Sequence, residues 1–286
     1  MVFARLKNIA DQAKFNVRIW RTLRSGPACP ARPDHIIIDL SHCCDLSCPD
    51  CNRSCGVDQA PAEEFISLEQ IRRFIDESIA AGRRWRRIML EGGEPTLHPQ
   101  LDGILSELLR YRLLHAPECE IQLCSNGHGA RARRILGQLP RGIQAKNSAK
   151  SAGRQKRHIA FNTAPIDLAE FARADYAQGC YIQRIFGLGL TRSGYYPHPI
   201  CAGIDRVFGF DIGLKNLPAP GADMARQLDR LCPLCGHFRE FRNRENGVLE
   251  MWKGGAADRF PSGHKSPSWI KAYRDYRKNR PRLSPY

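Results

Sequence analysis

The 286-residue chain has no apolar run approaching the roughly 20 residues that a membrane-spanning helix needs. Charge also interrupts Met1 to Ala10 too early for a secretory signal. These two absences give the expectation of a cytoplasmic protein with no membrane span. No internal repeat is visible. Acidic residues are missing altogether from Ala130 to Arg157, which holds nine Lys or Arg, and Lys265 to Tyr286 has seven basic residues against one Asp. The formal charge is +15. Blocks of this kind suggest an anionic partner, a phosphorylated small molecule or a nucleic acid, although a solvated basic surface would account for the count alone.

A mean hydropathy of −0.43 with 42% hydrophobic residues is ordinary for a globular protein, large enough for one core or for a domain with a smaller appendage. Twelve cysteines are too many for chance core filling, and a reducing compartment argues against a disulfide framework. Metal binding is the better explanation. The scattered Cys29, Cys119 and Cys124 read instead as small buried hydrophobes.

Phe3, Leu6, Ile9, Ala13, Val17, Trp20 and Leu23 recur at steps of three and four, which predicts a basic amphipathic helix over residues 2 to 24. After a Pro-rich turn, His35 to Leu40 is a β-branched run of strand length. Ser67 to Ala81 reads as a helix with Ser67 as N-cap and Gln70 three residues on. The alternation continues with a strand at Arg87 to Leu90, a helix at Leu101 to Leu114, a strand at Glu120 to Cys124 and a helix at Ala130 to Leu139. Short strands follow at Ile143 to Ala145 and Ile159 to Asn162. This order implies parallel βαβ units, whose active sites lie at the carboxyl ends of the strands. From Cys180 the pattern changes: Tyr181 to Phe186 and Leu190 to Tyr196 read as a hairpin, and Pro267-Ser268 opens a final helix around Trp269 to Arg277.

Cys44, Cys48 and Cys51 form C-x3-C-x2-C in the loop after the first strand. Three thiolates on one loop hold three irons of a [4Fe-4S] cube and leave the fourth open to an outside ligand. Zinc, completed by His42, Cys43 or Cys55, is the alternative on the cysteines alone. Glu91-Gly92-Gly93-Glu94-Pro95 follows the second strand. Paired glycines there permit close backbone approach, and a carboxylate can meet an ammonium.

Taken together, these two segments resemble the radical S-adenosylmethionine (SAM) superfamily, with the likeness extending over residues 36 to 162. The resemblance implies a partial parallel (β/α) barrel of five or six strands that binds SAM and a [4Fe-4S] cluster. It assigns Gly92, Gly93 and Glu94 to the methionine amine. Ser125 and Asn126, at the end of the third strand, and Asn147 and Ser148, after the fourth, are placed near the ribose. One departure is Asp50, where the family usually carries an aromatic residue near adenine.

Cys180, Cys201, Cys232 and Cys235 make a second set that resembles the SPASM or twitch extension of some members, implying an auxiliary [4Fe-4S] cluster, with structural zinc as the alternative. Six residues, rather than the usual four, separate Gly194 from Cys201. The domain plan is then a basic helix over 1–34, a radical SAM barrel over 35–179, a cluster unit over 180–240, and a helix with a basic tail over 241–286.

The implied reaction is reductive cleavage of SAM to a 5′-deoxyadenosyl radical and hydrogen abstraction from a small anionic sugar, cyclitol or nucleotide, with oxidation through the auxiliary cluster. A one-electron reductant such as flavodoxin or ferredoxin is the implied partner. A peptide- or RNA-modifying member of the same class is the alternative. A rival from another class is a non-catalytic zinc or iron-sulfur nucleic-acid-binding protein, which leaves Glu91 to Pro95 unexplained.

Overall fold

The computed structural model describes residues 13, 32–55, 64–150, 160–171, 174, 176–178, 180–222, 224–238, 241–243, 249–251 and 260–286. Apart from Ala13, the helix expected over 2 to 24 lies outside these residues, as does Cys29.

Four strands run in the expected order: β1 (His35–Asp39), β2 (Arg87–Glu91), β3 (Glu120–Ser125) and β4 (Ile143–Asn147). Each pairs in parallel with the next. Helices α1 (Leu68–Ala80), α2 (Leu101–His115) and α3 (Gly129–Gly137) form the crossovers. The capping box is present at α1: Gln70 N–H donates to Ser67 Oγ at 3.1 Å and Gln70 Oε1 accepts from Ser67 N–H at 2.9 Å. Ile71, Phe74 and Ile75 of that helix are buried, with Trp85 beside Phe74 donating its indole N–H to Ser78 Oγ at 3.0 Å.

Past β4 the structure departs from the sequence reading. Tyr181–Phe186 is a helix, α4, not the first arm of a hairpin. Gly187, at φ +72°, ends it, and an added Cβ there would lie 2.2 Å from the His35 carbonyl oxygen. The hairpin is β5 (Leu188–Thr191) with β6 (Gly194–Tyr196), and β5 pairs in parallel with β1 on the side away from β2. The sheet therefore has six strands in the order β4-β3-β2-β1-β5-β6, mostly parallel, with β1 in its interior. Burial on both faces explains why Ile36, Ile37 and Ile38 read as a continuous apolar run. Ala160–Asn162, expected as a strand, forms a turn.

Helices α5 (Pro199–Phe208), α6 (Ala225–Leu231) and α7 (Pro267–Asn279) follow, with a short pair β7 (Phe241–Asn243) and β8 (Leu249–Met251) before α7. Two apolar cores result. One lies between the sheet and α1 and α2; the other gathers Phe161, the four later cysteines, α5 and Trp269, Tyr273 and Tyr276 of α7. The final helix thus shares a core with residues 180–238 instead of standing apart, and the hairpin belongs to the main sheet.

Candidate active site at the carboxyl edge of the sheet

The carboxyl ends of β1 to β4 open on one cavity of about 810 Å³. Cys44, Cys48 and Cys51 line it from the loop after β1, and Gly92 and Gly93 from the end of β2. Ser125, Asn126, Asn147 and Ser148 line it from the ends of β3 and β4, with Lys146 and Lys150 beside them. Of the residues expected to face the cofactor, the structure brings together all except Glu94.

The two glycines have a local reason. Gly92 sits at φ +126°, and a Cβ on it would lie 2.3 Å from the Ser41 carbonyl oxygen; on Gly93 it would lie 2.0 Å from that of Cys43. The end of β2 is laid directly on the cysteine loop, with Gly93 N–H donating to Ser41 O and Glu94 N–H to Cys43 O, both at 2.8 Å. Any side chain here would push the loop out of place.

Glu94 stands apart from the other residues named for the cofactor. Its side chain is not among those lining the cavity, and the residue is 1% exposed. Oε1 accepts from Thr96 N–H at 3.1 Å, Thr96 Oγ1 at 2.7 Å and Ser125 Oγ at 2.8 Å, while Oε2 accepts from Asn126 N–H at 2.7 Å. Four protein donors thus hold the carboxylate in place, three of them on Oε1. Glu94 ties the end of β2 to the end of β3. Asn126, held by this clamp, turns its side-chain N–H to Asp45 Oδ1 at 2.7 Å and to Cys44 Sγ at 3.9 Å.

The polar residues after β3 and β4 also hold one another. Ser148 N–H and Oγ donate to Ser125 O, Lys150 N–H donates to Asn126 O, and Asn147 Oδ1 accepts from Ala149 N–H at 2.8 Å. Gly127, whose Cβ would meet Asn147 Oδ1 at 2.2 Å, allows that packing. Asp50, the departure from the family's aromatic position, is 3% exposed and accepts from Gly263 N–H and Ser262 Oγ, so it fastens the segment before α7 to the cysteine loop.

Several site residues were not singled out from sequence. Arg53, with its side chain 8% exposed, donates through Nε to Asp39 Oδ2 at 3.0 Å and through Nη2 to Asp39 Oδ1 at 3.3 Å and Glu91 Oε2 at 2.8 Å. Asp39 and Glu91 are register partners at the ends of β1 and β2. Two acids ending adjacent parallel strands, with an arginine just beyond the cysteines, are the signal that would have found this group. Cys124 and His237 also line the cavity.

Thiol chemistry differs across the three cysteines. Burial pushes the Cys44 thiol up to about 12 and raises Cys48. Cys51 is lowered to about 6, first by a hydrogen bond from the Cys55 thiol and then by backbone N–H groups and the Arg53 charge. Three sulfurs facing one cavity beside an open rim fit a cube with one exposed iron.

The four cysteines of the second set neighbour one another. Cys180 precedes α4, Cys201 lies in the first turn of α5, and Cys232 and Cys235 flank a 3-10 turn; all four are buried in the second core. Burial raises the Cys201 and Cys232 thiols, and the neighbouring cysteines of the set raise them further. Among the described residues no three Cys, His, Asp or Glu side chains close to the spacing of one metal ion.

Residues 38–141 match the family model of the radical SAM superfamily. The matched residues take in the cysteine loop, the Gly92-Gly93 strand end, and Ser125 and Asn126. Two solved structures resemble it weakly. Streptococcus suis SuiB bound to S-adenosylmethionine shows 19% identity over 40% of this chain and 24% of that one, at a TM-score of 0.27. BtrN in complex with AdoMet and 2-DOIA shows 14% identity over 42% of this chain and 58% of that one, at a TM-score of 0.30. The chain thus spans less than two thirds of either. No curated protein matches it.

Proposed function

We propose that the protein reductively cleaves SAM at a [4Fe-4S] cluster held by Cys44, Cys48 and Cys51, and abstracts hydrogen from a small anionic substrate. The observation that carries this reading is the single cavity in which three thiols of one loop face the Gly92-Gly93 strand end and the polar ends of β3 and β4. When bound, the cluster supplies the electron and SAM the hydrogen-abstracting radical. The chain's own residues position both groups: Gly92 and Gly93 keep the cysteine loop against β2, while Ser125, Asn126, Asn147 and Ser148 form the opposite wall.

Lys146 and Lys150 line the same cavity and support the anionic substrate class, a sugar, cyclitol or nucleotide. The volume falls in the range of small-molecule sites, about 300–1,000 Å³, and has to take the cofactor as well, which favours a small substrate over a folded partner. Cys180, Cys201, Cys232 and Cys235 are the ligands proposed for an auxiliary cluster, since four buried thiols gathered in one core are suited to a multinuclear cationic centre. His237 follows this set by two residues and reaches the cavity wall.

The reading is tested by adding SAM to the anaerobically reconstituted, dithionite-reduced protein and recording its electron paramagnetic resonance signal. The signal of one cluster is expected to change on SAM addition. A spectrum indifferent to SAM would overturn the proposal.

A further inference from the structure

Behind the cysteine loop lies a second cavity, of about 70 Å³, whose wall includes Asp39, His42, Glu64, Arg192, Arg206 and Arg282. The Asp39–Arg53 ion pair separates it from the active-site cavity, since Asp39 lines the small one and Arg53 the large one. One water needs about 10–15 Å³, so the space takes a small polyatomic ion but no sugar or nucleotide.

Two buried nitrogens in this wall have no hydrogen-bond partner among the described residues. Arg206, 3% exposed, sets Nε on Glu64 Oε2 at 2.7 Å, Nη1 at 3.4 Å from Ser54 O and its guanidinium over the Tyr276 ring, yet Nη2 meets no acceptor. His42, 7% exposed, has Nδ1 at 3.7 Å from Glu64 Oε2 and Nε2 unmet. At that distance Nδ1 makes no hydrogen bond, so the imidazole is free to carry its proton on Nε2.

Buried donors of this kind are normally met by water or by an ion, and charge decides between the two. Three arginines line the cavity against two acids, and Asp39 accepts from Arg53 on both oxygens, which leaves Glu64 alone to offset them. Arg192 donates Nη1 to the Leu283 carbonyl at 3.2 Å, a neutral acceptor that does not balance its charge. Water would leave the positive excess in place, whereas an oxyanion neutralises it and matches the guanidinium N–H groups.

We propose that this cavity binds one tetrahedral oxyanion of phosphate size, held by Arg192, Arg206 and Arg282. The ion joins three segments far apart in the chain: the cysteine loop through His42, α5 through Arg206, and the segment after α7 through Arg282. It braces the cysteine loop from beyond the Asp39–Arg53 pair.

The test is calorimetric titration of the reconstituted full-length protein with inorganic phosphate, against chloride at equal ionic strength. One saturable site is expected, and it should survive Lys146→Ala with Lys150→Ala, which removes cations of the active-site cavity. Arg192→Gln with Arg282→Gln should weaken it about tenfold or more. Arg206→Met should abolish it; should that variant misfold for want of its Glu64 and Tyr276 contacts, the Arg192 and Arg282 pair still decides. Absence of saturable binding, an unchanged affinity in the arginine pair, or a loss in the lysine pair as large as in the arginine pair overturns the proposal.

Discussion

Replacing Glu94 by Ala separates two roles for one carboxylate. If the side chain met the methionine ammonium, its loss would cost about 1.5–3 kcal/mol in SAM affinity, roughly one to two decades, with little effect on folding. The structure places it elsewhere: it is 1% exposed and receives Thr96 N–H, Thr96 Oγ1, Ser125 Oγ and Asn126 N–H. Truncation leaves these donors buried and unpaired, each at about 1–3 kcal/mol, with partial relief from hydroxyl rotation. A net destabilisation of about 3–5 kcal/mol is expected, a large share of a typical total of about 5–15 kcal/mol. At a urea m value of about 3 kcal/mol per molar, the unfolding midpoint should fall by more than about 1 M. The assay is urea unfolding of the cluster-free protein, where no cofactor contributes. An unchanged midpoint, with SAM affinity of the loaded protein reduced, would refute the clamp and restore the ammonium role.

Further outcomes follow from the same geometry. Iron and sulfide analysis is expected to give about eight of each per chain, whereas about four of each with one zinc would make the second cysteine set a structural zinc site. Lys146→Ala with Lys150→Ala should raise substrate KM in a salt-dependent way while SAM cleavage without substrate persists. Neutralising Arg84 and Arg86, exposed before β2, should change neither; equal losses would indicate diffuse electrostatics, and steeply salt-dependent RNA binding would favour a nucleic-acid substrate. Burial raises the Asp39 carboxyl from 3.8 to about 6 despite Arg53. An acid raised on folding contributes its full stability below its unfolded value and loses it as pH rises through the folded one, here about 3 kcal/mol between about pH 4 and 6. Asp39→Asn should therefore flatten the rise in wild-type instability over that window, measured by urea unfolding of cluster-free protein; a parallel pH profile would contradict it.

The strands and helices from His35 to Asn147 were legible because each carries a local signal that agrees with its tertiary setting: the β-branched run of β1, the Ser67 and Gln70 capping box, and the apolar face of α1. Tyr181–Phe186 was not, since six residues with apolar ends around Gln183 and Arg184 fit a strand or a short helix equally well. The pairing of β5 with β1 was hidden for another reason. It joins segments about 150 residues apart, and nothing local in Leu188–Thr191 names a partner. In the site, cysteine spacing located the thiols, but a side chain's direction is not written in a motif. Glu94 points into the sheet end because Ser125 and Asn126 supply donors there, and Arg53 turns inward because Asp39 and Glu91 supply acceptors. Both are long-range facts of the fold.

The central claim is that the cysteine loop and the ends of β2, β3 and β4 form one site for reductive SAM cleavage. Its most direct measurement is 5′-deoxyadenosine formation by the anaerobically reconstituted protein with SAM and dithionite, alongside the variant in which Cys44, Cys48 and Cys51 are all Ala. The wild-type protein is expected to release 5′-deoxyadenosine and methionine, and the variant to release neither. Equal product from both, or none from wild-type protein carrying its full iron and sulfide, would contradict the account.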